Sequence, residues 1–168
     1  MRSIRISAVV LGFLYALFLV WLLVSQDRLP ERIATHFGSG GAPDGWMSRT
    51  SHCRFMLTFG LLFPLAVPAV CHCVRFLPDS LINIPRREFW LATERRPQTM
   101  NYLFGHALWF ACLAVCFVAG SHLLVVDANL RNPPSLSVPL LWAVAGSFVT
   151  GLAVWIAILL FRFLRLPK

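Results

Sequence analysis

Four long apolar runs, separated by segments dense in proline, glycine and charge, set the pattern of the chain. Residues 6–25, ISAVVLGFLYALFLVWLLVS, carry no charge and have the length of about 20 residues that a helix needs to cross roughly 30 Å of hydrocarbon. Residues 55–77, 102–126 and 138–161 form three further runs. Backbone groups in lipid must be satisfied within their own segment, and no ten-residue alternation typical of a barrel is visible, so the spans are expected to be helical. The predicted fold class is all-α: an integral membrane four-helix bundle, one domain over residues 1–168, with structured loops at 26–54 and 78–101. Arg2 and Arg5 precede the first run, which is too long for a signal peptide and lacks a small-x-small cleavage site. An uncleaved signal anchor is expected.

Composition narrows the class. The chain is 58% hydrophobic and 13% charged, against about 45–50% and about 25% for soluble domains. In 168 residues this leaves no room for a separate soluble catalytic domain, a disordered tail or a repeat array. Ten basic residues flank the two termini and the second loop (Arg2, Arg5, Arg75, Arg86, Arg87, Arg95, Arg96, Arg162, Arg165, Lys168). Five lie around the first and third loops (Arg28, Arg32, Arg49, Arg54, Arg131). This bias predicts cytoplasmic termini and an outward first loop. The net charge of +8 then reads as attraction to anionic headgroups and not as nucleic-acid binding, because no long basic face lies outside the spans.

In the first loop Pro30 suits a helix start, Leu29, Ile33 and Phe37 share one helical face, and Gly38 suits a terminator, so a short surface helix is expected. Gly40, Gly41, Pro43, Asp44 and Gly45 read as tight turns, followed by Trp46 at headgroup level. In the second loop Phe89, Trp90 and Leu91 lie among Arg86, Arg87, Arg95 and Arg96, the pattern of an interfacial helix with snorkelling arginines that Glu88 and Glu94 could pair. Pro64 and Pro68 predict a kink in the second span. Stripes of small residues, Cys112, Cys116, Gly120 and Ala143, Ser147, Gly151, are expected to face other helices and give a route to homo-oligomers.

Two motifs resemble a known family. Pro30, Ile33, His36, Phe37, Gly41, Pro43, Asp44, Gly45 and Trp46 resemble the signature of a bacterial membrane domain of unknown function that also occurs at the start of SdpI-type immunity proteins. The segment with Asn83, Pro85, Glu88, Phe89, Trp90, Glu94, Arg95 and Arg96 resembles a second motif of its small members. Gly38 and Thr93 depart from the residues usual there. The resemblance implies a multi-pass protein of the bacterial cytoplasmic (inner) membrane, with no known reaction.

The candidate chemistry sits at the outer side. His36, Phe37, Asp44 and Trp46 form a candidate ligand site, and His36 with Asp44 could hold a divalent metal such as zinc, joined by His52, His122 or Asp127 if these converge. The structural alternatives are a loop histidine bonded to turn backbone and an Asx-turn aspartate. Cys71-His72-Cys73 invites a metal, but at 3.6 residues per turn the two thiols diverge by about 200°. The five cysteines form no disulfide framework. Of the two histidines inside the spans, His106 needs a partner, with Asn101, His72 or a second-loop carboxylate as candidates, and His122 reads as an interface residue. The expected function is non-enzymatic and cofactor-free: binding of a secreted peptide or another membrane protein, in immunity or envelope signalling. The alternatives are a membrane enzyme with an outer metal, or a subunit of an oligomeric transporter.

Overall fold

The structure is a computed structural model that describes residues 2–165, with Arg2 described in its backbone alone. Lys168, counted among the basic residues above, lies outside the described residues. The order is α1 (Arg2–Gln26), β1 (Arg32–Phe37), β2 (Pro43–Ser48), α2 (Arg49–Leu62), a 3-10 turn (Phe63–Leu65), α3 (Ala66–Val74), a second 3-10 turn (Asp79–Leu81), α4 (Arg87–Trp90), α5 (Arg96–Asn129) and α6 (Val138–Leu164). Four stretches, Ser3–Gln26, Arg49–Val74, Arg96–Asn129 and Val138–Leu164, are long and apolar enough to cross a membrane.

The fold is mostly helical but not all-α. Residues 32–37 form a strand, antiparallel to 43–48, where a surface helix was expected. Leu29, Ile33 and Phe37 do fall at helical spacing, but a helix of two turns is marginal without a partner. The returning segment Pro43–Ser48 offers a ladder that Ile33 and Thr35, both β-branched, favour. Consecutive Ile33 and Ala34 are both buried, a pattern that neither simple period describes, and the register shifts just after them, between Ala34 and His36.

Helix α5 is the axis of the bundle. Its Leu108, Ala111, Cys112, Val115 and Val118 pack with Leu11, Phe18 and Leu22 of α1 and Met56 of α2 in the main core. Helix α1 runs alongside α5 in the same direction, with Ser7 near Cys112 and Ser25 near His122. Helix α6 runs antiparallel to α5, with Phe117 against Phe148 and His106 against Trp155.

The small-residue stripes divide differently from expectation. Cys112 faces α1 and Gly120 faces Val144 of α6, while Cys116 is exposed. On α6 only Gly151 of its stripe meets α5, against Leu113, and Ala143 and Ser147 are exposed. A four-residue step overshoots the 3.6-residue turn by about 40°, so such a stripe wanders off one interface. The break in the second span follows from Pro64, which has no N–H to donate and sits in the 3-10 turn. The Tyr15 hydroxyl donates to the Leu61 carbonyl just before that break, at 2.9 Å.

Candidate functional site

The hairpin caps the end of the bundle at which α1 finishes. Its tip closes with the Gly38 N–H donating to the Ala42 carbonyl (2.9 Å) and the Gly41 N–H to the Gly38 carbonyl (2.8 Å). Gly41 adopts φ 77°, a conformation that glycine takes without steric cost. Pro43, Asp44 and Gly45, expected in tight turns, instead begin β2. Asp44 is therefore a strand residue, and its Oδ1 lies 2.5 Å from His36 Nδ1 across the hairpin. Gly45 stands opposite His36, where any Cβ would come within 2.7 Å of the His36 Cβ. Glycine here lets the imidazole lie over the strand. The side chains of His36 and Asp44 are 77% and 52% exposed, so the pair adds little stability and is open to a ligand. Trp46 is also exposed, with the Arg32 guanidinium 5.5 Å from its ring centroid. Phe37 is half-buried beside them.

The opposite face is anchored. Leu29, Ile33 and Val126 form a small core with Trp21, Met47 and Val125. The Asn129 side chain donates to the Ala34 and Val125 carbonyls and accepts from the Ala34 N–H, all at 2.8 Å. It thus acts as a one-residue strand against β1. Arg49 donates from its guanidinium to the Leu29 carbonyl (2.9 Å) and from its backbone to the Glu31 carbonyl (2.8 Å). The Leu136 N–H, in the connection to α6, donates to the Gly41 carbonyl (2.9 Å). Sequence reasoning missed Asn129, because an Asn at a helix end reads equally well as a terminator.

The proposed outer cluster separates into two. His36 and Asp44 pair at the surface, whereas His52 and His122 are buried together beneath the hairpin. His52 Nε2 lies 3.0 Å from His122 Nδ1, and His122 Nε2 lies 2.7 Å from Ser25 Oγ. The Ser25 hydroxyl donates to the Leu22 carbonyl. The chain is then satisfied when His122 Nε2–H donates to Ser25 and His52 Nε2–H donates to His122. Trp21 meets His122 edge-on at 6.0 Å. Asp127 takes no part, being paired with Arg131 at 2.9 Å. No group of three or more His, Cys, Asp or Glu side chains converges among the described residues. His36 and Asp44 thus supply two donors where a zinc site takes three or four protein ligands.

At the other end His106 finds its partner on α6, and not in Asn101, His72 or a carboxylate. Its Nε2 donates to the Trp155 carbonyl (3.0 Å), and the Trp155 indole N–H donates back to the His106 carbonyl (2.9 Å). The second-loop motif is built as a clamp. Arg96 donates to Asp79 Oδ1 (2.8 Å) and to the Arg75 and Leu77 carbonyls (3.1 and 2.7 Å). Trp90 is buried and donates to the Phe163 carbonyl (3.2 Å), so the segment expected at the interface turns its indole into the bundle. Arg95 only covers the Phe89 ring, at 4.1 Å. Asn83, Pro85 and Glu94 are exposed, and neither Glu88 nor Glu94 forms an ion pair among the described residues. Replacing Arg96 with alanine is expected to cost about 1–3 kcal/mol, and Arg95→Ala under about 1 kcal/mol, in thermal unfolding of detergent-solubilised protein. Equal losses would show that Arg96 does not clamp the loop.

Residues 13–68 match a family model described as Domain of unknown function (DUF1648). An uncharacterised protein of Archaeoglobus fulgidus is 30% identical over 155 residues, covering 85% of this chain and 80% of its own length. The chain belongs to this family of uncharacterised proteins. No solved structure matches. The DUF1648 segment begins inside α1, takes in the whole hairpin and ends just after Pro64. It therefore holds His36, Asp44, Trp46, Ser25 and His52, while Asn129 and His122, which anchor these elements, lie beyond the DUF1648 match on α5.

Proposed function

We propose that this is a multi-pass protein of a bacterial cytoplasmic membrane, with both termini cytoplasmic, acting as a non-enzymatic binding module in immunity or envelope signalling. The hairpin face carries the ligand site, with Arg32, His36, Asp44 and Trp46 presented to a secreted peptide or to an outward segment of another membrane protein. One observation carries this reading: a hairpin fixed to the bundle from behind, by Asn129, Arg49 and Ile33, leaves its polar and aromatic face open. Such pre-organisation lowers the ordering cost of binding. An aromatic beside an arginine, next to an exposed imidazole and carboxylate, suits a peptide with both apolar and charged side chains.

Sidedness is the first requirement of this reading. A cysteine replacing Ser39 at the hairpin tip, in a Cys53→Ser background, is expected to react with a membrane-impermeant maleimide in intact cells. Labelling only after the cells are opened would reverse the topology and remove the outward ligand. Cells lacking the protein are then expected to become sensitive to a secreted peptide. The wild-type chain should restore resistance, and His36→Ala with Asp44→Ala should not, at equal protein level.

A further inference from the structure

A cavity of about 450 Å³ opens on the flank of the bundle between α1, α5 and α6, far from the hairpin. Its walls are Tyr102, His106 and Trp109 of α5 and Gly151, Trp155 and Ile158 of α6, with Ser3 of α1 at one end. The lining is apolar and aromatic, and the one imidazole in it is already bonded to the Trp155 carbonyl. Along α5 the groove reaches from Tyr102 to Leu113, about 16 Å at about 1.5 Å per residue. That is half of a hydrocarbon layer of roughly 30 Å, the depth of one leaflet. The groove is thus a trough for an extended chain and not a pocket for a compact solute.

Its surface end is marked by charge. Arg162 follows Ile158 by one helical turn on the same face of α6. The guanidinium is held 5.3 Å from the centroid of Tyr102, which lines the groove, and 4.8 Å from that of Trp90. Arg162 forms no ion pair among the described residues. From these observations we infer that the groove binds one anionic phospholipid, an acyl chain lying between α5 and α6 and the phosphate at Arg162. Charge selects this occupant over a neutral lipid, because a positive charge at the headgroup level attracts an anionic one. The depth of one leaflet, with the cation at its end, fits a lipid better than a second copy of the chain.

The inference rests on the membrane reading above but not on the ligand proposed for the hairpin. Membrane residence is measured separately, by retention in the pellet after a carbonate wash. Recovery in the wash would overturn the membrane reading, whereas a retained protein that fails the next test overturns the lipid site alone. Native mass spectrometry of protein in mild detergent, titrated with phosphatidylglycerol or phosphatidylcholine of the same acyl chains, reads the site. One bound phosphatidylglycerol per chain is expected, held about fivefold more tightly than phosphatidylcholine. Arg162→Gln should erase that preference, and Val154→Trp, at an exposed position in the groove wall, should abolish binding of both. Ile158→Trp serves the same purpose if the first variant melts below the wild type. Equal binding of the two lipids by the wild type, undiminished binding by the tryptophan variants, or a dimer that excludes lipid would each overturn the proposal.

Discussion

Replacing Asn129 with alanine is expected to loosen the hairpin and lower stability by about 2–4 kcal/mol, because it strands the buried N–H and carbonyl of Ala34 without partners. Ala34 is fully buried, so water cannot take over these bonds without opening the contact that neighbouring Ile33 makes with Val126 and Trp21. Hydrogen exchange at the Ala34 amide should approach the rate of an exposed loop, and trypsin should gain access at Arg32. Asn129→Asp is expected to be no better, since a carboxylate accepts from the Ala34 N–H but faces the carbonyls of Ala34 and Val125 with no donor. Wild-type exchange and melting in Asn129→Ala would mean that Leu29, Ile33 and the bonds from Arg49 and Leu136 hold the hairpin without it. A hairpin that moves should also lose the ligand response proposed for His36 and Asp44, although neither of these residues has been altered.

The second large effect is expected at His122. Substitution with phenylalanine keeps an aromatic ring against Trp21 while removing both ring nitrogens, which isolates the hydrogen bonds from the packing. His52 then loses its acceptor and Ser25 its donor, at a cost of about 1–3 kcal/mol. The double variant His52→Phe, His122→Phe removes both members of the buried pair, so its loss should fall short of the sum of the single losses by about 1 kcal/mol or more. Thermal unfolding of the four proteins in one detergent measures this coupling. Strict additivity would show that the two imidazoles do not support each other. Because α1, α2 and α5 each contribute one member of the chain, such coupling would also mean that the three helices are locked together beneath the hairpin.

The four apolar helices were legible because their signal is local and long: some twenty consecutive apolar residues outweigh any single polar one. The break at Pro64 was equally legible, since a missing N–H is a property of the residue itself. The hairpin tip was legible at Gly41 and not beyond it, and the strand on either side was read as a helix start and as turns. Ile33 packs against Val126 and the Asn129 side chain bonds the Ala34 backbone, and a residue 95 positions away leaves no mark on the local pattern.

The candidate site divides along the same line. His36, Asp44 and Trp46 were legible as residues of interest, but tertiary structure alone paired His36 with Asp44, took His52 and His122 away to Ser25, and gave His106 to Trp155. Sequence by itself determined which segments avoid water, because hydrophobicity is carried residue by residue. Which polar groups share a partner was decided by the tertiary structure, because a hydrogen bond has a direction and a length of about 3 Å that only the packed helices can set.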